Sequence, residues 1–385
     1  MTDYNKHAIL KDNRQLGPYP DHLLKRVDKP TVDIPGPVER RLRSDNASVR
    51  VGNGALGPEM AEKSKGFIYR YPLGPVISEV RSRISNTPPS VPGTLPDGSG
   101  VKPLPKLDIP DDPAVLSRNI KALGYFMGAD AVGICAPPPP SFFVDDADGL
   151  PYENKFKYAV VFLKRNDLAT TMATEGADMI VDATAQRSYM HLTMISETVL
   201  SYIKTLGFEA ESSDFRQSKN QMPSLIIAAG LAEACRMGIA LNPFFGADFK
   251  SSAVLTNMTL LPDKPIDFGL QEYCGRCGIC ANHCIGGAIS KGAKEIYNGY
   301  EKWVFDAEKC VVATANLEDG TNCFMCIMMC PWTRPDTSPS DYRLWDGSVD
   351  ALIAAADARA NELRENGFKR SDAPGSKWWL GLADR

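Results

Sequence analysis

No run of about eighteen apolar residues occurs in this 385-residue chain, so no transmembrane helix is expected. The N-terminus, Met1-Thr-Asp-Tyr-Asn-Lys-His-Ala8, lacks the apolar core of a secretory leader. Arg40-Arg41 is a twin arginine by letter only, because it is followed by polar Ser44-Asp45-Asn46 rather than an apolar stretch. These absences make a cytoplasmic protein without a membrane anchor the expectation. Charge of one sign is lacking too. With 43 Lys and Arg against 47 Asp and Glu, the net charge is −4, and nothing global favours nucleic acid or an anionic membrane. Cysteine is nearly absent outside one block: only Cys135 and Cys235 lie beyond residues 274–330. Such clustering in a long chain with 43% hydrophobic residues excludes a spread disulfide framework, and both outlying cysteines read as small buried apolar residues.

The block itself is dense. It runs Cys274-Gly-Arg-Cys277-Gly-Ile-Cys280-Ala-Asn-His-Cys284, then Cys310, twelve further residues, and Cys323-Phe-Met-Cys326-Ile-Met-Met-Cys330-Pro331. Zinc sites made only of cysteine use paired CxxC. Three thiolates within seven residues followed by x3-Cys do not suit one tetrahedral ion. The same spacing suits two [4Fe–4S] clusters. In two-cluster ferredoxins the fourth cysteine of each motif crosses to the other cluster. That logic gives Cys274, Cys277, Cys280 and Cys330 to one cluster, and Cys310, Cys323, Cys326 and Cys284 to the other. Residues 311–322 form an added loop that is expected to set Asn316 beside a cluster and against a neighbouring domain.

Upstream, residues 1–110 hold 15 of the 29 prolines, which argues for an extended arm without long helices, docked by Phe67-Ile68-Tyr69 and Val76-Ile77. Gly52-Asn-Gly54-Ala-Leu-Gly57 fits GxGxxG but lacks the flanking strand and apolar helix of a dinucleotide site, so it reads as a turn-rich loop. Asp112-Pro113 starts a helix, with Leu116, Ile120, Leu123 and Met127 at helical spacing. Strands are expected at 131–135, 158–163 and 253–260. Helices are expected at 182–206, ended by Gly207, at about 223–236, whose small residues suit tight packing, and at about 350–366.

Several stretches together resemble the reductive dehalogenases, corrinoid and iron–sulfur enzymes that remove halide from organohalides. They are Leu123-Gly-Tyr-Phe-Met-Gly-Ala-Asp-Ala-Val-Gly133, Met222-Pro-Ser-Leu225, Ala229-Gly-Leu-Ala-Glu233 with Arg236, Asn242-Pro-Phe-Phe-Gly246, Ala253-Val-Leu-Thr256, Pro262 to Gly269, and both cysteine motifs. A fainter echo lies in Trp378-Trp379. The resemblance implies an α+β fold: a nitroreductase-like α/β cobamide-binding domain (111–268 plus 335–385), a two-cluster ferredoxin-like domain (269–334) and the proline-rich arm (1–110). It implies cobalamin in its base-off form, an organohalide substrate with a haloaromatic foremost, and a separate ferredoxin or flavodoxin as electron donor, and it leaves room for a homodimer. Tyr189 matches the family's proton donor and Lys250 its supporting cation. None of His7, His22, His191 and His283 sits in the Asp-x-His-x-x-Gly motif that ligates cobalt in other cobalamin enzymes. Two departures stand out: Ile285 replaces the proline expected after Cys284, and Asp214-Phe215-Arg216 occupies a place where other members often carry asparagine. The alternatives are a tRNA-modifying reductase like epoxyqueuosine reductase, and a non-catalytic corrinoid or electron-transfer protein.

Overall fold

The structure, a computed structural model, describes residues 17–70, 73–86, 109–146, 148–174, 180–214, 218–317, 322–333, 348–366 and 377–379; within these, the side chains of 65–70 and 86 are outside the description. Phe215, Arg216 and the side chains of Phe67-Ile68-Tyr69 therefore lie outside the described residues. None of the described helices is long and apolar enough to cross a membrane.

In chain order the helices and strands that place the site are α1 (Ala47–Gly52), α2 (Pro58–Arg70), α3 (Leu73–Asn86), α4 (Pro113–Phe126), β1 (Ala131–Cys135), β2 (Tyr158–Arg165), α5 (Leu168–Ala173), α6 (Ile180–Thr205), β3 (Ala210–Ser213), α7 (Met222–Ala228), β4 (Glu233–Ala234), β5 (Ala240–Leu241), β6 (Phe249–Thr256), α8 (Leu270–Cys277), α9 (Ile279–Asn282), β7 (Glu295–Tyr297), β8 (Tyr300–Lys302), α10 (Ala307–Ala315), α11 (Met325–Met328) and α12 (Val349–Asn366).

An antiparallel sheet in the order β1-β2-β6-β3 forms the centre. Side chains alternate across a strand, so each strand feeds two cores. Ala159, Val161, Leu163, Ala253 and Leu255 enter one core, with Phe244, Phe245 and Trp332. Val160, Phe162 and Val254 enter the other, where Leu192, Ile195, Val199 and Ile203 of α6 cover them. Both faces are covered, which is why 159–163 reads as an unbroken apolar run. The Oγ atoms of Ser196 on α6 and Ser252 on β6 pair at 2.6 Å inside this layer.

Asp112 caps α4 by accepting from the Ala114 N–H at 2.8 Å, as its Asp-Pro start implies. Gly207, at φ 92°, follows α6. Three expectations need correction. The proline-rich arm is extended only in part: residues 17–46 hold only short helical turns, yet α2 and α3 are ordinary helices. Pro58 and Pro75 sit in their first turns, where the missing N–H costs nothing, so proline count misled where proline position would not have. The helix expected to Arg236 stops at Ala228. Gly230 turns at φ 66°, and a Cβ there would collide with the Lys264 carbonyl and the Arg26 guanidinium. Ala229 instead packs on Gly133 of β1, so the small residues serve close backbone approach. The strand expected at 253–260 is β6, four residues earlier.

Arm and body are tied by specific bonds. Asn242 Nδ2 donates to Tyr19 Oη at 2.8 Å, and Arg26 Nη1 donates to the carbonyls of Gly230 and Lys264 at 2.9 and 3.0 Å. Further along, α3 packs lengthwise on α6, and Gly74 allows their close approach beside Asp182.

Candidate functional site

Lys250 occupies an even position of β6, so strand alternation points it to the α6 side with Ser252 and Val254. Tyr189 lies on the same helix face as Leu192, Ser196 and Val199. The two meet: Lys250 Nζ is 5.6 Å from the centre of the Tyr189 ring. The ammonium also stands 4.9 Å from the Phe324 ring centre, next to Cys323 in the chain. Both residues are half-buried. Burial pushes the Tyr189 hydroxyl up to about 12, against the lowering pull of Arg81, while Asp182 and Asp214 push further upward. Burial lowers Lys250, opposed by Asp248, Asp182 and Cys326.

A third cation at this place was not legible in the sequence. Arg81 of α3 is only 2% exposed, and its guanidinium carbon lies 5.6 Å from the Tyr189 ring centre. Tyr189 thus carries a cation within reach of its ring from two different elements. Trp379, part of the faint C-terminal echo, is buried against Ala173 at the end of α5 and Ile180 and Ala183 at the start of α6. Leu380 lies outside the described residues.

The surroundings contain polar atoms that protein partners do not satisfy. Asp248 is fully buried; its Oδ1 accepts from Asn166 Nδ2 at 2.7 Å, while its Oδ2, Asn166 Oδ1, Ser188 Oγ and Gln186 Oε1 have no hydrogen-bond partner among the described residues. Buried unsatisfied acceptors are costly unless a bound group supplies donors. A corrinoid carries a periphery of amide N–H donors, the kind of partner that such acceptors lack here.

Cys274, Cys277, Cys280 and Cys330 line one cavity with Cys235, Tyr273 and Trp332. Burial first, and neighbouring thiols next, push Cys280 up to about 12. Cys330 is raised by burial and by Cys280, Cys277, Cys235 and Cys274. Cys310, Cys323, Cys326 and Cys284 form a second neighbourhood: burial raises Cys326, as do Cys323, Cys280, Cys310 and Cys284. The Cys280–Cys326 proximity makes the two sets adjacent. Thiols crowded this way ionise only if a cationic group compensates them, which suits iron. Among the described residues no three His, Cys, Asp or Glu side chains converge on a single-ion site. The first set surrounds a cavity instead, as four corners of a cube require.

Around these thiols the chain is braced. Buried Arg236 donates through Nε to the Cys274 carbonyl at 3.0 Å, and its guanidinium carbon lies 4.6 Å from the Trp303 ring centre. Tyr273 Oη donates to the Ala356 carbonyl of α12 at 2.8 Å, and Arg276 pairs with Asp357 of the same helix. The Ala288 N–H donates to Cys284 Sγ at 3.2 Å, beside Ile285, which is 49% exposed. The expected added loop opens as helix: α10 contains Cys310 and runs to Ala315, and Asn316 follows as its C-cap. Lys63 Nζ of α2 donates to Asn316 Oδ1 at 2.9 Å, joining the cysteine region to the arm. Residues 318–321 lie outside the described residues. Cys135 is buried in β1. Cys235, expected to be merely apolar, stands at the wall of the first cavity, where its Sγ–H donates to the Ile239 carbonyl at 3.2 Å. The segment at 52–57 is the turn that follows α1, as expected for a GxGxxG without its βαβ context.

No family model matches the chain. Among curated proteins, the tetrachloroethene reductive dehalogenase of Sulfurospirillum multivorans is 35% identical over 159 residues, covering 40% of this chain and 31% of that protein. The tetrachloroethene reductive dehalogenase of Desulfitobacterium hafniense is 30% identical over 213 residues, covering 52% and 38%. An epoxyqueuosine reductase of Shewanella oneidensis is 26% identical over 201 residues, covering 46% and 47%. Among solved structures, the catabolic reductive dehalogenase NpRdhA superposes with a TM-score of 0.79 at 31% identity, over 94% of this chain and 52% of that one. NpRdhA in complex with 3-bromo-4-hydroxybenzoic acid superposes with a TM-score of 0.78. The chain spans about a third of the length of these curated dehalogenases and about half that of the solved one. In sequence and in its mixed helix and sheet fold it resembles reductive dehalogenases, and less closely an epoxyqueuosine reductase.

Proposed function

We propose that this chain is a corrinoid-dependent reductive dehalogenase, an oxidoreductase that replaces halogen by hydrogen on an organohalide. The observation that carries the reading is the convergence of Lys250 and Arg81 on Tyr189, with Phe324 and Cys326 of the cysteine region next to Lys250. The resemblance to dehalogenases over nearly the whole chain supports it.

In this reading a base-off corrinoid would supply a reducible cobalt, and two [4Fe–4S] clusters would supply electrons. Cys274, Cys277, Cys280 and Cys330 hold one cluster; Cys310, Cys323, Cys326 and Cys284 hold the other. Asp248, Asn166, Ser188 and Gln186 offer acceptors to the corrinoid amides. The balance is two electrons and one proton in, one halide out, with a C–H bond where the carbon–halogen bond was. Tyr189 keeps its proton at neutral pH and delivers it from Oη to the carbon that halide leaves. The phenolate so formed is stabilised by the ammonium of Lys250 and the guanidinium of Arg81. The low polarity that raises the tyrosine also strengthens both attractions.

Residues 111–268 with 335–385 form a nitroreductase-like cobamide domain in this reading, and 269–334 a ferredoxin-like one. A ferredoxin or flavodoxin is the donor. A halogenated hydroxybenzoate heads the substrate classes, because a matching structure holds 3-bromo-4-hydroxybenzoic acid. The test is anaerobic assay of protein reconstituted with iron, sulfide and a corrinoid, with reduced viologen as donor and a panel of haloaromatics and haloalkenes. Halide release from at least one is expected; none from any would overturn the proposal. The weaker resemblance to epoxyqueuosine reductase gives a second reading, tRNA reduction, and retention on tRNA at moderate salt would favour it.

A further inference from the structure

Trp332 follows the ligand candidate Cys330 by two residues and lines the same cavity as Cys274, Cys277, Cys280 and Cys330. Its ring is fixed edge-on between Phe268, at 5.2 Å between centroids and 69°, and Tyr273, at 5.5 Å and 79°. The residue is 2% exposed, and its indole Nε1 has no acceptor among the described residues. A buried tryptophan ordinarily finds a partner for its N–H, because leaving a donor desolvated and unpaired is costly. Phe could fill the same aromatic slot without that cost. The donor is therefore explained by an acceptor that the described residues do not provide. The cavity it lines is walled by five cysteines. The chemistry that those thiols would gather is iron and sulfide, and both thiolate and sulfide accept hydrogen bonds.

We propose that Trp332 donates its indole N–H to a sulfur of the cluster held by Cys274, Cys277, Cys280 and Cys330, and thereby raises that cluster's reduction potential. This rests on the proposed two-cluster reading. Reduction adds negative charge to the cluster, so a donor to its sulfur binds the reduced form more strongly than the oxidised one. Trp332 is a positioning and tuning residue here, not a catalytic one. With the two sets adjacent through Cys280 and Cys326, its effect on one cluster sets the direction in which an electron shared between them rests.

The test is an EPR-monitored redox titration of the reconstituted holoprotein, wild type against Trp332→Phe, with iron counted in both. The expected result is a midpoint shift to more negative potential for one cluster, with the second cluster and the iron content unchanged. An iron-replete variant with both midpoints unchanged overturns the proposal while leaving the two-cluster reading standing. Wild-type protein that forms no [4Fe–4S] signal overturns both. If the variant loses iron, wild-type protein carrying indole-15N tryptophan decides the matter: the reduced cluster is expected to show a 15N coupling by pulsed EPR, and its absence overturns the hydrogen bond.

Discussion

Lys250 on β6 and Tyr189 on α6 meet with the lysine ammonium 5.6 Å from the tyrosine ring centre, although the sheet and the helix that carry them are separate layers. The contact follows from strand alternation on one side and helical spacing on the other. It gives a half-buried acid with a built-in counter-cation.

Replacing Tyr189 by Phe removes the proposed acid and little volume. Halide release is expected to fall by about 10²–10⁴-fold, the usual contribution of a positioned proton donor. Iron and cobalt content should be unchanged. Single-turnover halide release with a viologen donor measures this, and near-normal turnover would remove Tyr189 from the mechanism.

The pH profile distinguishes the two groups. Tyr189 is pushed up to about 12, so it stays protonated across the working range. Lys250 is lowered by burial, so as pH rises it loses its proton before an ordinary lysine would. Loss of that charge withdraws support from the phenolate. Activity should therefore fall on the alkaline side, below the usual lysine value of about 10.4. Lys250→Arg keeps its charge at any such pH and should move that limb upward. A limb that does not move in this variant would assign it to another group.

Arg81 opposes the rise of the Tyr189 pKa. Arg81→Met should raise that pKa further and slow proton delivery, by about tenfold for each pKa unit translated fully into barrier height. Arg81→Lys should recover part of the loss. Titration of the tyrosine by ultraviolet difference spectroscopy in the cofactor-free protein, compared with Tyr189→Phe, gives the pKa shift independently of turnover.

Gly230→Ala tests the turn that ends α7. A side chain at φ 66° that also meets the Lys264 carbonyl should destabilise the protein by at least about 1 kcal/mol. Denaturant unfolding of the cofactor-free protein measures it. An equally stable variant would mean that the arm and the Gly230 turn separate easily.

The cysteine spacing, the capped start of α4, the strand of β2 and the long α6 were legible because each is a local pattern, repeated within a few residues. Lys250 and Tyr189 were legible only through resemblance. Arg81 was hidden because its role depends on α3 lying along α6, and the prolines around α2 and α3 suggested an arm without helices. Cys235 and Trp332 were hidden for the same kind of reason. Nothing within their own segments says that they share a cavity with Cys274 and Cys330; long-range packing alone brings them there. The glycine at 230 ended a helix that the surrounding alanines favoured, because the backbone of Lys264 and the side chain of Arg26 occupy the space beside it.

The most direct measurement of the central claim is electron and proton stoichiometry in D₂O. Reconstituted protein is given a measured amount of reduced viologen and a halogenated hydroxybenzoate, and halide, oxidised viologen and product are counted together. Two electrons consumed per halide released are expected, with deuterium at the carbon that carried the halogen. Viologen oxidation without halide, or halide released with hydroxyl at that carbon, would contradict it.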